Sequence, residues 1–338
     1  MAGKALKKWR VAVLDLGTNT FHLFIADVFS DQTTKKVFKS KKVVKLGEGG
    51  ILQHLITVPA FKRGIDAVSH FSEIIKKYKA DQVNAYATAA VRSAINGNDF
   101  TGEIFSQTGI RVNVIDGLEE ARLICLGVRQ CIKMHEEPEL IMDIGGGSTE
   151  FIIASRSKVF ARHSFNIGAA LLLEKLKPSD PITGSEIMQL EELLDQTLKP
   201  LDKPMKECKV RKLTGSSGSF DTFADMIGHR FYQKSFLRHA NSYHFKLEDF
   251  YKLYDLLMHS TYSQRLRMKG LIKMRVDMIV LAVICTRFVL NRYGLQEMAV
   301  SKFSLKEGAM WEILNTVTFN PLPESIRINA KVSRTNMT

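Results

Sequence analysis

The chain has 338 residues, too many for one ordinary core, so two domains of roughly 100–200 residues each are expected. Hydrophobic residues make up 45% and charged residues 25%, a globular balance that excludes a disordered chain; the longest apolar run, residues 278–285, falls well short of the ~20 residues a bilayer crossing needs. Lys and Arg outnumber Asp and Glu by 48 to 35, a net charge of +13, which favours nucleic acid, anionic lipid or a phosphate-rich substrate without choosing among them.

The basic start (Lys4, Lys7, Lys8, Arg10) is followed by an apolar run that Asp15 ends after residues 11–14, too early for a secretory leader. Cys125, Cys131, Cys208 and Cys285 are scattered, without zinc spacing, as in reduced core or surface thiols. Both features point to a cytoplasmic protein.

The first segment reads as strand, turn, strand: residues 11–14 are apolar, 15–20 form the turn, and 21–28 are rich in β-formers. Residues 37–46 predict a third strand with exposed lysines, and Gly47, Gly49 and Gly50 mark a loop. Pro59 opens a helix whose apolar face is Phe61, Ile65, Val68, Phe71 and Ile75. Residues 83–87 and 112–115 predict strands, and 118–132 a helix. The pattern then restarts. Residues 140–143 are an apolar strand ending in Asp143, 144–149 a glycine turn, and 150–154 the next strand. Residues 182–198 predict a helix beginning near Thr183 or Ser185, and 210–213 a strand running into the small residues 214–219. The remainder reads as mainly helical, clearest at 245–258 and 274–290, and residues 321–338 as a polar tail.

Two Asp-x-Gly turns, each between an apolar strand and a second strand, are the strongest signal. Glycine allows close backbone approach to a ligand. Successive N–H groups, with the hydroxyls of Thr18, Thr20, Ser148 and Thr149, can hold phosphate oxygens. Asp15 and Asp143 at the strand ends can position a divalent cation or its waters. One such turn is common in plain hairpins; a long-range pair implies two similar α/β lobes facing a cleft. Asp116 followed by Glu119 fits a helix capping box. Glu120 is left over, and the spacing alone is equally met by a carboxylate at the positive end of a helix dipole. Arg92, after a strand, could reach phosphate bidentately or be a surface residue at a helix start. His22, within a strand, reads as structural. No Gly-x-Ser-x-Gly elbow, Walker A sequence or His-Glu-x-x-His is present.

Asp15-Leu-Gly-Thr-Asn-Thr-Phe-His-Leu, Ala87-Thr-Ala-Ala-Val-Arg92, Glu119-Glu-Ala-Arg-Leu and Asp143-Ile-Gly-Gly-Gly-Ser-Thr-Glu150 occur in this order. Together they resemble the exopolyphosphatase/guanosine pentaphosphate phosphatase family. The likeness continues more weakly through Leu46-Gly-Glu-Gly, Ile167-Gly168, Gly215 to Ser219, Arg275-x-Asp277 and Leu305-Lys-Glu-Gly308, and so covers nearly the whole chain. It implies an α/β fold of two actin-like (ribonuclease H-like, sugar kinase/Hsp70/actin) lobes with an active-site cleft between them. The expected lobes are 1–128 and 129–320, the final helix able to pack back on the first.

The resemblance also implies hydrolysis of the terminal phosphoanhydride of inorganic polyphosphate or guanosine pentaphosphate, with Mg²⁺ required and K⁺ as an optional stimulant. Glu120 would be the base that activates water. Gly17, Thr18, Asn19 and Thr20, with Gly145, Gly146, Gly147, Ser148 and Thr149, would bind phosphate, helped by Arg92. Asp143, Glu150 and Asp15 would organise the metal. Neither nucleic acid nor membrane is an expected partner, and a homodimer is admissible on the same resemblance and on base rate. An ATP-dependent kinase or ATPase of the same superfold, or a non-catalytic polyphosphate- or alarmone-binding regulator, are the competing readings. Thr18 and Thr20 stand where family members often carry Ser, residues 279–283 are bulkier than the usual small-residue run, and Lys306 stands where an Arg is usual, which keeps charge but loses the bidentate fork. Longer relatives continue into a further helical domain beyond the point where this sequence stops, so a preference for long polyphosphate is not implied.

Overall fold

Two largely apolar runs, buried on both faces over residues 11–14 and 25–28, fold the start of the chain into a hairpin. Strand β1 (Lys8–Leu16) pairs antiparallel with β2 (Thr20–Phe29), which places Asp15 directly opposite His22. Strand β3 (Thr34–Val43) adds to β2 as an edge, and its lysines guard that edge against pairing with another chain. Helix α1 (Val58–Lys77) returns across the sheet, burying Ile65, Val68, Phe71 and Ile75. Strand β4 (Gln82–Ala87) then lies parallel to β1; the short α2 (Ala89–Ser93), α3 (Gly97–Thr108) and β5 (Val112–Val114) complete a sheet of order β3-β2-β1-β4-β5. The computed structural model describes residues 8–216 and 218–316, so the tail expected over 321–338 lies outside the described residues.

Helix α4 (Gly117–Cys131) leads into a second copy of the plan. Strands β6 (Glu139–Ile144), β7 (Thr149–Ala154) and β8 (Val159–Phe165) form the antiparallel part. Helices α5 (Ala169–Leu176), α6 (Gly184–Thr197) and α7 (Lys199–Cys208) precede β9 (Lys212–Ser216), which is parallel to β6. Helix α8 (Gly218–Phe231), β10 (Ser242–Phe245), α9 (Leu247–Met258), α10 (Tyr262–Arg265), α11 (Ile279–Arg292), β11 (Glu297–Ser301) and α12 (Leu305–Thr316) follow. Read from its antiparallel side, this sheet runs β8-β7-β6-β9-β11-β10. Its first five strands repeat the order of the first sheet, which is the structural counterpart of the duplicated turn sequence.

The region after residue 214 is less purely helical than its periodicity suggests, because β10 and β11 complete the second sheet. Strand β11 is short, and from Met298 to Ser301 it is buried. A buried parallel strand carries no alternation to distinguish it from a helical segment.

One apolar cluster joins the two sheets. Val11, Val13, Ala26 and Val28 of the first pack with Ile141, Ile152 and Ala154 of the second, with α4 and α12 contributing Leu123, Ile124, Val128, Ala309, Ile313 and Leu314. The helices cross at backbone contact: a Cβ on Gly308 would lie 1.8 Å from the Leu123 carbonyl oxygen. The helix that carries Glu120 is thereby fixed against both sheets. Among the described residues no helix is long and apolar enough to cross a membrane.

Candidate active site

The two glycine turns converge. A single cavity between the sheets is lined by Asp15, Gly17, Thr18, Asn19 and Thr20 from the first turn and by Asp143, Gly145, Gly146, Gly147 and Ser148 from the second, together with Glu120. Contact between the turns is direct: a Cβ on Gly146 would stand 2.8 Å from Asn19 Nδ2 and 2.9 Å from Thr18 Cβ. The carbonyls of the second turn point away from the cavity's business side and are consumed by the start of α5. Ala169 N–H donates to Gly145 O at 2.9 Å, Ala170 and Leu171 N–H to Gly146 O at 3.0 Å each, and Gly168 N–H to Gly147 O at 3.2 Å. Among the described residues the N–H groups of Thr18 and Asn19, and of Gly146, Gly147 and Ser148, donate to no protein acceptor. Buried backbone donors are almost always paired; a row of unpaired ones around a cavity is an anion cradle.

Glu120 sits in the first turn of α4. Asp116 is the N-cap, accepting from Glu119 N–H at 2.7 Å. The reciprocal half of the expected capping box is absent: Glu119 instead holds Arg122, whose Nε and Nη2 each donate at 2.7 Å. Glu120 points the other way, into the cavity, and accepts from Arg92 Nη1 at 3.0 Å, while the same nitrogen donates to Ile115 O at 2.9 Å. Burial, with Glu150 nearby, holds the Glu120 carboxyl well above its usual range, and Arg92 opposes that rise. Arg92 therefore meets the carboxylate, and it does not line the cavity itself.

Asp143, 5% exposed, accepts at Oδ2 from Ser304 Oγ at 2.7 Å and Ser216 Oγ at 2.9 Å. It faces Glu150 in the β6–β7 ladder. Glu150, 1% exposed, accepts from Ser164 Oγ at 2.7 Å and stands outside the cavity lining. Burial and Asp143 push its carboxyl up to about 7, against hydrogen bonds from Ser148 and Ser164. Asp15 is likewise pushed up to about 6 by burial, with Asp143 and Glu307 adding to the rise and Lys306 opposing it. Among the described residues no three acidic, histidine or cysteine side chains cluster as a metal cage; of the three acids expected to organise a metal, Asp15 and Asp143 line the cavity and Glu150 does not. Thr149 also stands outside the cavity lining: it begins strand β7 and its hydroxyl donates to Ile167 O at 3.0 Å.

Residues the sequence reading left aside also reach the site. His22 lines the cavity on the same face of β2 as Thr20, so period two counted from Thr20 was an available signal. Burial first, then Lys306, Lys39, Lys41 and Arg275, keep its imidazole well below the usual range and hence neutral at pH 7. Lys306 is buried and pairs with Glu307 at 3.2 Å, while Lys39 of β3 reaches the other Glu307 oxygen at 3.1 Å. This ion network links α12 to the first sheet through residues 268 apart, a separation no local pattern reveals.

The raised Glu150 carboxyl has a stability consequence. A carboxyl whose folded-state pKa exceeds its ordinary 4.5 contributes stability below that ordinary value and loses it as pH rises through about 7. With metal chelated, Glu150→Gln should gain stability relative to the parent as pH rises from 5 to 8, and the two should converge near pH 4. Denaturant unfolding at each pH measures the difference; a pH-independent difference would show that Glu150 is ionised at no cost.

Residues 25–317 match the model of the Ppx/GppA phosphatase family. The chain belongs to this family. An exopolyphosphatase from Cytophaga hutchinsonii, solved as a crystal structure, superposes with a TM-score of 0.87 at 37% identity over 90% of this chain and 98% of that one. A putative exopolyphosphatase of Haemophilus influenzae is 24% identical over 307 residues, covering 90% of this chain and 91% of the relative. A guanosine-5'-triphosphate,3'-diphosphate pyrophosphatase of Photobacterium profundum is 29% identical over 216 residues, 64% of this chain and 43% of that protein. The fold is the two-lobed actin-like one of the Ppx/GppA phosphatases, as the sequence resemblance implies.

Proposed function

We propose that this Ppx/GppA phosphatase releases terminal phosphate from inorganic polyphosphate or guanosine pentaphosphate by attack of water. The observation that carries this reading is the convergence of two sets of unpaired backbone N–H groups on one cavity that also receives Glu120. Such donors are already oriented before substrate arrives, so they stabilise the charge of the transferring phosphoryl group without reorganisation. Burial raises the proton affinity of Glu120 well above that of an ordinary carboxylate, which makes it a stronger base toward water. Arg92 fixes the carboxylate by its bond to Oε2, leaving Oε1 for water.

Mg²⁺ fits this donor set. The ion is usually held by one or two carboxylates, several waters and substrate phosphates rather than an all-protein cage, and Asp15 and Asp143 both line the cavity, where burial and then Asp143 raise the proton affinity of Asp15. When bound there, a divalent cation would neutralise charge on phosphoryl oxygens. Ser216 and Ser304 orient Asp143 for that role, and Glu150 supports the turn through Ser148 and Ser164. A cytoplasmic location and a homodimer belong to the same reading.

Phosphate release from tripolyphosphate, long polyphosphate, guanosine pentaphosphate and ATP, each with Mg²⁺ and with chelator, tests it. Release from a phosphate chain or from guanosine pentaphosphate, well above that from ATP and abolished by chelation, is expected. ATP as the best substrate would replace the hydrolase reading with the kinase or ATPase one, and binding without release would replace it with a regulator.

A further inference from the structure

The peptide units of both glycine turns are oriented by what takes their carbonyls. A trans peptide sets its N–H opposite its C=O, so a carbonyl held behind the turn aims the next residue's N–H forward. In the first turn a following loop does the holding. Gly47 N–H donates to Thr18 O at 3.3 Å, and Val44 and Lys45 N–H both donate to Asn19 O at 2.9 Å. In the second turn the start of α5 holds the carbonyls of Gly145, Gly146 and Gly147. Each cradle therefore has its own holder, and each holder is seated on a different core. Val44 and Leu46 of the loop pack in the core of the first sheet, Ala169 and Leu172 of α5 in that of the second.

One side chain ties the two holders together. Glu174 of α5, half-buried, accepts at Oε1 from Gly49 N–H in the loop at 2.8 Å, across 125 residues. Among the described residues Glu174 pairs with no cation, so this contact is not the by-product of a surface ion pair. The loop presents its donor from a firm mount. Arg63 donates from Nε to Val44 O at 2.7 Å, and from Nη2 to Lys45 O at 3.0 Å and Glu48 Oε2 at 2.9 Å. Ile51 N–H returns to Gly47 O at 3.0 Å, and Gly49 takes a left-handed φ of +69°, which glycine adopts without strain.

Building on the reading that both turns hold phosphate, we propose that Glu174 is a positioning residue that sets the separation of the two cradles. It does not line the cavity; it acts through the loop behind the first turn and the helix start behind the second. Without it the sheets stay joined by the cluster that includes α4 and α12, and the cavity widens at the turns. A site that its ligand must first close binds more weakly by the fraction of molecules already closed. Once bound, a phosphate chain spans both turns itself, so the saturated enzyme regains the same geometry.

Glu174→Ala and Glu174→Gln test the proposal, with Lys175→Ala as a control at the exposed neighbouring position. Alanine and glutamine are both good helix formers, so α5 has no reason to unfold in any of the three. In Glu174→Ala the KM for tripolyphosphate should rise about tenfold, with kcat within about twofold of the parent. Tenfold is about 1.4 kcal/mol, the scale of one hydrogen bond to a charged group. Glutamine keeps the Oε1 acceptor and should hold KM near the parent value, as should Lys175→Ala. An unchanged KM in Glu174→Ala, a loss confined to kcat, or an equal rise in either other variant would overturn the positioning role. Equilibrium binding of tripolyphosphate with Mg²⁺ separates this role from the hydrolase reading. A Kd raised in Glu174→Ala alone, in a protein whose parent releases no phosphate, would keep the role and sink the hydrolase; an active parent with the same Kd as Glu174→Ala would do the reverse.

Discussion

Glu120→Gln should lose about 10²–10⁴-fold in phosphate release while still folding and still binding the phosphate chain. The amide keeps the shape of the carboxylate and an oxygen able to accept from Arg92 Nη1, so the first turn of α4 has no reason to move. It cannot take a proton from water. Binding should survive because the donors that hold phosphate are backbone N–H groups of the two turns. Stability supplies an independent readout. In the parent, Glu120 is a buried acid set against Glu150 and Asp15, with Arg92 as its cationic neighbour. A neutral side chain removes that repulsion, so the thermal midpoint of metal-free protein at pH 8 should hold or rise. Loss of turnover together with a lowered midpoint and lost binding would point to a structural carboxylate. Near-normal turnover would remove Glu120 from the mechanism.

The contrast between Glu119 and Glu120 shows how far a sequence can be read. Adjacent acids at a helix start look alike in spacing, and capping chemistry accounts for only one. The structure turns Glu119 toward Arg122 and Glu120 toward Arg92, and the deciding partner of Glu120 lies 28 residues upstream. The paired turns were legible because each is local: strand, Asp-x-Gly, strand. Strand β11 was not, since buried parallel pairing with β9 is a long-range fact imposed on a short apolar run. The direction of the Thr149 hydroxyl is a related case: its type suits phosphate, but the acceptor it meets, Ile167 O, lies 18 residues downstream. The link from Lys306 through Glu307 to Lys39 required the fold itself, because α12 and β3 are at opposite ends of the chain.

Gly146→Ala should cost more turnover than its single methyl suggests. The added carbon would enter the contact between the turns, within 2.8 Å of Asn19 Nδ2 and 2.9 Å of Thr18 Cβ. Neither neighbour yields easily. Thr18 is 3% exposed and its carbonyl accepts from Gly47 N–H at 3.3 Å; the Asn19 amide is directed at Met278 Sδ at 3.1 Å. The second turn cannot retreat either, because its carbonyls are bound by the start of α5 and a Cβ on Gly168 would already lie 2.4 Å from the Gly146 carbonyl carbon. Relief must come from separating the sheets at the cavity. A displacement of about 1 Å in a reacting geometry costs on the order of 10²-fold, so kcat/KM should fall by at least that much while each lobe keeps its own core. Gly184→Ala is the matched control: nothing lies within 4 Å of its added carbon, at the exposed start of α6. It should leave turnover alone and stabilise by about 0.5–1 kcal/mol. Equal activity in the two alanine variants would mean that the turns do not act as one cradle, whatever the fate of Glu120.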